Sequence, residues 1–253
     1  MEGGEAVGVR LSGGREVRAR RAVVSNATRW DLVGLLDEAD CPAEWRRARG
    51  EADALPEINS FMHLHVGFDA AGLDPSTEMH HIVVNTWEGG VTAEQNVVLV
   101  SVPSIEDPSL APAGKHVLHA YTPATEPYSL WAGLERNSPE YRQLKEERSQ
   151  VLWRAVERVI PDIRQRAEVT LVGTPLTHER FLRRHRGSYG PGVKAGTGAL
   201  IPGATTPVKK LLVCGDTAFP GIGLPAVAAS GMIAANTLVP VDKHLRVLEE
   251  LGV

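Results

Sequence analysis

The segment from Leu211 to Asn236, LLVCGDTAFPGIGLPAVAASGMIAAN, constrains this chain more than any other. Leu211-Leu212-Val213-Cys214 is an unbroken apolar run, the pattern of a strand buried in a parallel sheet, and it ends in Gly215-Asp216. That ending sets a carboxylate at the carboxyl edge of the sheet, where α/β proteins bind nucleotides and an acid can accept hydroxyl hydrogen bonds. Gly221 and Gly223 let backbone approach a ligand closely. The small-residue helix predicted from Pro225 to Leu238 aims its free N–H groups and positive dipole end at the same place. An electron-rich ring edge or an anionic oxygen suits that position. Gly221-x-Gly223-x-x-Ala226 has the outline of a dinucleotide fingerprint, but the strand ends too early and no complete βαβ unit follows. Glycines that merely permit helix packing are the plain structural alternative.

Upstream, Ala6 to Leu11 and Arg15 to Ala19 alternate around Ser12-Gly13-Gly14 and read as a β-hairpin. Arg21 to Ala27 reads as a buried strand that delivers Ser25 and Asn26 to a site, and Thr28 to Leu36 as a short helix or turn. Strands are expected over 61–68, 80–86, 97–102 and 116–121, separated by Gly, Pro, Asp and Asn clusters. Their spacing suggests a meander and hence an antiparallel sheet. Ser138-Pro139-Glu140 opens a helix, with an N-cap, a proline at the first position and an acid at the dipole's positive end, and Pro161 closes it. A strand at 169–172 and a Gly/Pro-rich loop from Gly187 to Pro207 lead into the final segment.

Composition removes several function classes. The 27 basic and 31 acidic residues give a net charge of −4 with both signs scattered, so no clustered positive surface for nucleic acid is expected. Cys41 and Cys214 stand far apart, which excludes a disulfide scaffold and a cysteine-rich metal site. No run reaches the roughly 18 to 20 apolar residues of a membrane span. The N-terminus has neither signal-peptide nor transit-peptide character.

GDTAFPGIGLPAVAASG, from Gly215 to Gly231, resembles the C-terminal flavin signature GDSxFPGxGxxAVAxSG of the carotenoid isomerase and phytoene desaturase family. Members of that family share an amine-oxidase-like FAD fold. AVVSNATRWDLVGLL (22–36), SVPSIEDPSLAPAGKHVLHAYTP (101–123) and VGTPLTHERFLRRHRGSYGP (172–191) are similar to family blocks in the same order, and the agreement points to the isomerase branch. The resemblance implies an α/β (α+β) chain: part of a Rossmann-like FAD domain in residues 1–54 and 208–253, around an antiparallel-sheet substrate domain in 55–207. It implies FAD as cofactor and a polyene lipid, a carotenoid, as partner, with peripheral association to a plastid or cyanobacterial membrane. Asp216 matches the acid that hydrogen-bonds the ribityl and pyrophosphate region of FAD, and Gly215 clears space for it. Gly221, Ile222, Gly223 and Leu224 match the turn facing the flavin pyrimidine edge, and Ala226 lies in the helix that follows. Family isomerases commonly carry Gln where Ile222 stands. The family's opening Gly-rich βαβ unit has no counterpart here, so the chain resembles the C-terminal half of a member, and alone it is expected to bind flavin weakly and not to catalyse.

The implied reaction is cis–trans isomerisation of a poly-cis carotene. The alternatives are a polyene desaturase or saturase of the same family, or a flavin-free lipid-binding fragment. No catalytic residue is assigned. His63 and His65 share one face of a predicted strand, but no third ligand is evident at a sensible spacing, so ordinary packing is expected there and no metal site. His80 and His81 point to opposite faces, His178-Glu179 lacks the second histidine of a zincin, and no Gly-x-Ser-x-Gly elbow occurs. The basic run Arg180 to Arg186 suits either a solvated helix end or a contact with cofactor or lipid headgroups.

Overall fold

A computed structural model describes residues 1–43, 45, 58–193, 196 and 198–252. The chain forms two compact units, one of residues 1–57 and 189–253, the other of residues 58–188. The expected boundary at 54/55 lies outside the described residues. At the far end the division falls at Ser188/Tyr189, ahead of the expected 207. The intervening loop is hydrogen-bonded to the first unit: Val213 N–H donates to the Ala204 carbonyl at 2.8 Å and Phe219 N–H to the Pro202 carbonyl at 2.7 Å.

In the first unit, β1 (Gly8–Arg10) and β2 (Glu16–Arg18) form the hairpin, and β3 (Val23–Ser25) pairs in parallel with β9 (Leu211–Val213). Helix α1 (Arg29–Gly34) follows β3, with the Thr28 side chain accepting from the Asp31 N–H. After β9 come α5 (Leu224–Asn236) and α6 (Val241–Leu251). The buried core here is small, formed by Ala6, Leu32, Val208 and Leu211. Val24 in β3 is 48% exposed, so this parallel pair is not covered on both faces as parallel strands usually are. Helix α6 buries no residue, and its Val241, Leu245 and Leu251 are exposed.

The second unit is a five-stranded antiparallel sheet of β4 (His63–Asp69), β5 (His80–Val84), β6 (Val97–Ser101), β7 (Lys115–Tyr121) and β8 (Ala167–Gly173), in the order β5-β6-β7-β4-β8. Only β5, β6 and β7 form the expected meander. Strand β4, the first of the five in sequence, inserts between β7 and β8. Leu64, Val66 and Phe68 are each 2% exposed or less, and such a strand is best covered with a neighbour on either side. Strand β5 takes the edge, where Ile82 remains exposed.

Helix α2 (Pro139–Val159) packs on the inward face of the sheet, against β4, β6 and β7, through a stripe that includes Val151, Leu152, Ala155 and Val156. Its ends follow from local sequence: Ser138 accepts from the Tyr141 N–H at 3.1 Å, Pro139 occupies the first turn, and Pro161 lies just past the C-cap Ile160. A one-turn helix α3 (Ile163–Arg166) precedes β8, and α4 (Pro175–Leu182) follows it. Glu126 is fully buried in this unit. It accepts hydrogen bonds from Arg148 at 2.9 and 2.8 Å and from the Trp131 indole at 2.9 Å.

Candidate functional site

The carboxyl ends of β3 and β9 lie side by side, since these strands are parallel and in register from Val23/Leu211 to Ser25/Val213. Cys214 N–H donates to the Ser25 carbonyl at 2.9 Å and extends the pairing by one step. Beyond it the chain turns at Gly215, whose φ of +93° favours glycine and whose added Cβ would stand 3.4 Å from the Asn26 Cβ. The Ser230 hydroxyl, 1% exposed in α5, accepts from the Gly215 N–H at 3.0 Å. This bond ties the strand end to the following helix. Asp216 therefore follows directly on the ends of two parallel strands.

Asp216 does not stand alone. The Gly190 N–H donates to its Oδ2 at 2.8 Å. Gly190 has φ +87°, and a Cβ placed on it would lie 2.6 Å from Ile222 Cδ1. One glycine thus contacts both the acid and the Gly221-to-Leu224 turn. Reasoning from the sequence did not single out Gly190 as a site residue. Its only signal was its place in the GSYGP stretch of a matching block.

The turn itself is open. Gly221 and Gly223 have φ of +118° and +107°, Gly223 has no atom within 4 Å of an added Cβ, and Ile222 and Leu224 are 56% and 81% exposed. Gly223 is the N-cap of α5, and no side chain caps the first turn, which carries Leu224, Pro225 and the half-buried Ala226. A 13-residue helix with its first N–H groups uncapped offers donors and positive potential, and the neighbouring Asp216 offers an acceptor. Together these suit a ligand with a hydroxylated chain and an electron-rich, hydrogen-bond-accepting ring edge. FAD has both, and at Gly223 no atom within 4 Å of an added Cβ would bar its approach.

In the second unit, the outward face of the sheet carries a cluster that the sequence showed only in part. His63 and His65 do share a face, with rings stacked at 6.0 Å. Strand pairing sets His119 of β7 directly opposite His65, with ring centroids 4.3 Å apart and planes 2° from parallel. His63 Nδ1 and His119 Nε2 share a hydrogen bond of 2.6 Å. The His178 ring of α4 lies 4.7 Å from that of His63, and Tyr121 stacks on the other side at 5.5 Å.

Burial, reinforced by the neighbouring imidazoles, pushes His63 down to about 2 and His119 to about 4. Burial and then His65 push His178 to about 4. These rings are neutral at pH 7. Among the described residues, His63 Nε2 is buried without a hydrogen-bond partner, a condition that costs about 1–3 kcal/mol. The sequence did not link His119 or His178 to His63, because only strand register and the packing of α4 bring them together.

A groove of about 530 Å³ runs along this face, lined by residues that include His65, His119, Val117, Val169 and Leu171. Its charged lining residues, Lys115 and Glu168, pair with each other. Among the described residues, no helix is long and apolar enough to cross a membrane.

A family model of flavin-containing amine oxidoreductases matches residues 2–239. The chain belongs to that family. It is 37% identical over 257 residues to prolycopene isomerase 1, chloroplastic, of an Oncidium hybrid cultivar, covering 100% of this chain and 41% of the relative. It is 36% identical over 256 residues to prolycopene isomerase, chloroplastic, of Arabidopsis thaliana, covering 98% of this chain and 42% of the relative. The chain thus spans about two-fifths of the length of these relatives. Among solved structures, an oxidoreductase from Methanosarcina mazei shares the fold with a TM-score of 0.51 at 21% identity, over 92% of this chain and 46% of that one. The family is flavin-containing, and the candidate residues Gly215, Asp216 and Gly221 to Leu224 all fall inside the matched region.

Proposed function

We propose that this chain is the C-terminal part of an FAD-dependent enzyme that isomerises a poly-cis carotene. The observation that carries the reading is Asp216 at the end of a parallel strand, next to a glycine turn and an uncapped helix N-terminus, in a chain more than a third identical to prolycopene isomerases. Asp216 and Gly215 would hold the ribityl and pyrophosphate region of FAD, and the backbone of Gly221 to Leu224, with α5 behind it, would face the flavin ring edge. FAD, when bound there, supplies electron density that lowers the order of one double bond in the conjugated chain so that it can rotate, with no net redox change.

The chain's own residues would position and electrostatically support that chemistry. The N-terminus of α5 would favour negative charge on a ring edge placed before it, and Gly190 keeps the Asp216 carboxylate oriented. The groove on the β4/β7/β8 face, with exposed Val169 and Leu171, suits a substrate recognised by apolar area and shape because a polyene offers few hydrogen-bonding handles. A chloroplast or cyanobacterial membrane, where such a substrate dissolves, is the matching location. The first unit, with its two-stranded parallel sheet and exposed Val24, fits a fragment of a Rossmann-like domain whose further strands come from another segment.

Ile222 favours a second reading, a desaturase or saturase of the same fold, since family isomerases commonly carry Gln there. One experiment separates the two. The chain is joined behind the N-terminal segment of the Oncidium relative, loaded with reduced flavin and incubated with a poly-cis carotene in liposomes. The isomerase reading expects a product of unchanged mass with altered double-bond geometry, and little product from the 253-residue chain alone. A product that has gained a pair of hydrogens with reduced flavin, or lost a pair in a parallel incubation with oxidised flavin, supports the second reading. A joined protein that folds, binds FAD and leaves carotenes untouched overturns both.

A further inference from the structure

We propose that His63, His65 and His119 form a binding site for a single divalent late transition metal of the zinc class on the outward face of the five-stranded sheet. Each of the three offers one ring nitrogen, and these nitrogens lie within 4.8 Å of one another. A His-x-His pair on one strand with a third histidine directly opposite on its antiparallel neighbour is a rigid way to converge three imidazoles, because β4 and β7 pair without interruption from His63/Tyr121 to Asp69/Lys115.

The donor set selects the ion. Three imidazoles and no carboxylate suit zinc, cobalt, nickel or copper and do not suit magnesium or calcium, which require oxygen ligands. Three protein nitrogens also leave a fourth position for water or another ligand, the arrangement of open zinc sites. His65 and His119 line the groove of about 530 Å³, so space for that fourth ligand adjoins the histidines.

Binding requires the rings to turn out of their stack, because imidazole lone pairs lie in the ring plane and the His65 and His119 planes are 2° from parallel. Zinc–nitrogen bonds of about 2.0–2.1 Å in a tetrahedral site place ligand nitrogens about 3.4 Å apart. The 2.6 Å contact between His63 Nδ1 and His119 Nε2 would open and the longer separations close as they turn. Strand β8 presents Gly173 opposite His63, where an added Cβ would stand 3.4 Å from the His63 Cβ and 4.0 Å from His178 Nε2. The glycine keeps that flank of the cluster clear.

The test uses the 253-residue chain, freed of metal with a chelator and titrated with Co²⁺ and then Zn²⁺. The proposal expects one equivalent of Co²⁺ with the intense visible bands of a four-coordinate centre, displaced by Zn²⁺. His65→Gln and His119→Gln should each weaken binding by about tenfold or more, at least as much as losing an outer-shell partner does. The double variant His80→Gln/His81→Gln, on strand β5, should bind as the unchanged chain does. A readout on the unmutated chain guards against misfolded variants: Zn²⁺ should protect His65 and His119 from diethylpyrocarbonate, located by peptide mass spectrometry, while His80 and His81 still react. Failure to bind one equivalent, or labelling of His65 and His119 that Zn²⁺ does not change, would overturn the site.

Discussion

The Gly190 N–H holds Asp216 Oδ2 at 2.8 Å, while Ile222 packs so closely over Gly190 that no Cβ fits there without displacement. A loop ahead of β9 therefore sets both the acid and the turn of the proposed flavin site. Gly190→Ala should cost about 1–3 kcal/mol for an alanine held at positive φ. The Ile222 Cδ1 methyl can rotate away, so strain rather than collision sets the cost. Urea unfolding of the variant checks this, and a change within a few tenths of a kcal/mol would contradict it.

Gly187→Ala gives a sharper contrast. Its φ is +61°, and the added Cβ would sit 2.4 Å from the Pro175 carbonyl oxygen, which is backbone and cannot swing aside. Gly187→Ala should therefore destabilise the second unit more than Gly190→Ala destabilises the first. Hydrogen-exchange mass spectrometry resolves the two units separately, and equal or reversed effects would count against the described packing.

Arg148 and the buried Glu126 predict a large loss from a single change. Arg148→Met strands a carboxylate that is 0% exposed, at a cost of about 3–5 kcal/mol. Adding Glu126→Gln should restore part of that loss, because the amide keeps an oxygen for the Trp131 N–H and carries no charge. Denaturant titration of the single and double variants measures the difference. A loss below about 1 kcal/mol for Arg148→Met would place this pair with exposed ion pairs such as Arg10–Glu16.

Cys214 reports on the end of β9. Burial raises its thiol above the ordinary value, so less thiolate is present at any given pH. The unfolded chain releases this proton first, so the contribution to stability is present below the ordinary thiol value and is lost as pH rises through the raised one. Native alkylation of the Cys214 peptide by iodoacetamide should be slow at pH 8 and rise at higher pH than in urea. Identical profiles in buffer and in urea would contradict the burial.

The legible parts of this molecule are those whose causes are local. Helix α2 was marked by Ser138, Pro139 and Pro161, and the strand leading to Gly215-Asp216 by an apolar run and its ending. The hairpin, the antiparallel strands and the helix after Gly223 likewise stand near their expected positions. What depends on pairing between distant strands was not legible. Nothing within His63-Leu64-His65 announces that β4 will lie beside β7, and a register shift of one residue would send His119 to the opposite face. Gly190 escaped for the same reason: its role is a bond to an acid that comes 26 residues later.

The measurement that tests the central claim most directly is FAD content after purification of the chain joined to the N-terminal segment of a relative, compared among the unchanged protein, Asp216→Ala and Asp216→Asn. Asparagine keeps an acceptor for the Gly190 N–H, so it separates loss of flavin contact from loss of local structure. The account predicts near-stoichiometric FAD in the unchanged protein, about tenfold or more weaker binding in Asp216→Ala, because flavin hydroxyls lose a charged hydrogen-bond partner, and an intermediate value for Asp216→Asn. Equal FAD in all three proteins, or a folded unchanged protein that holds no flavin, would contradict it.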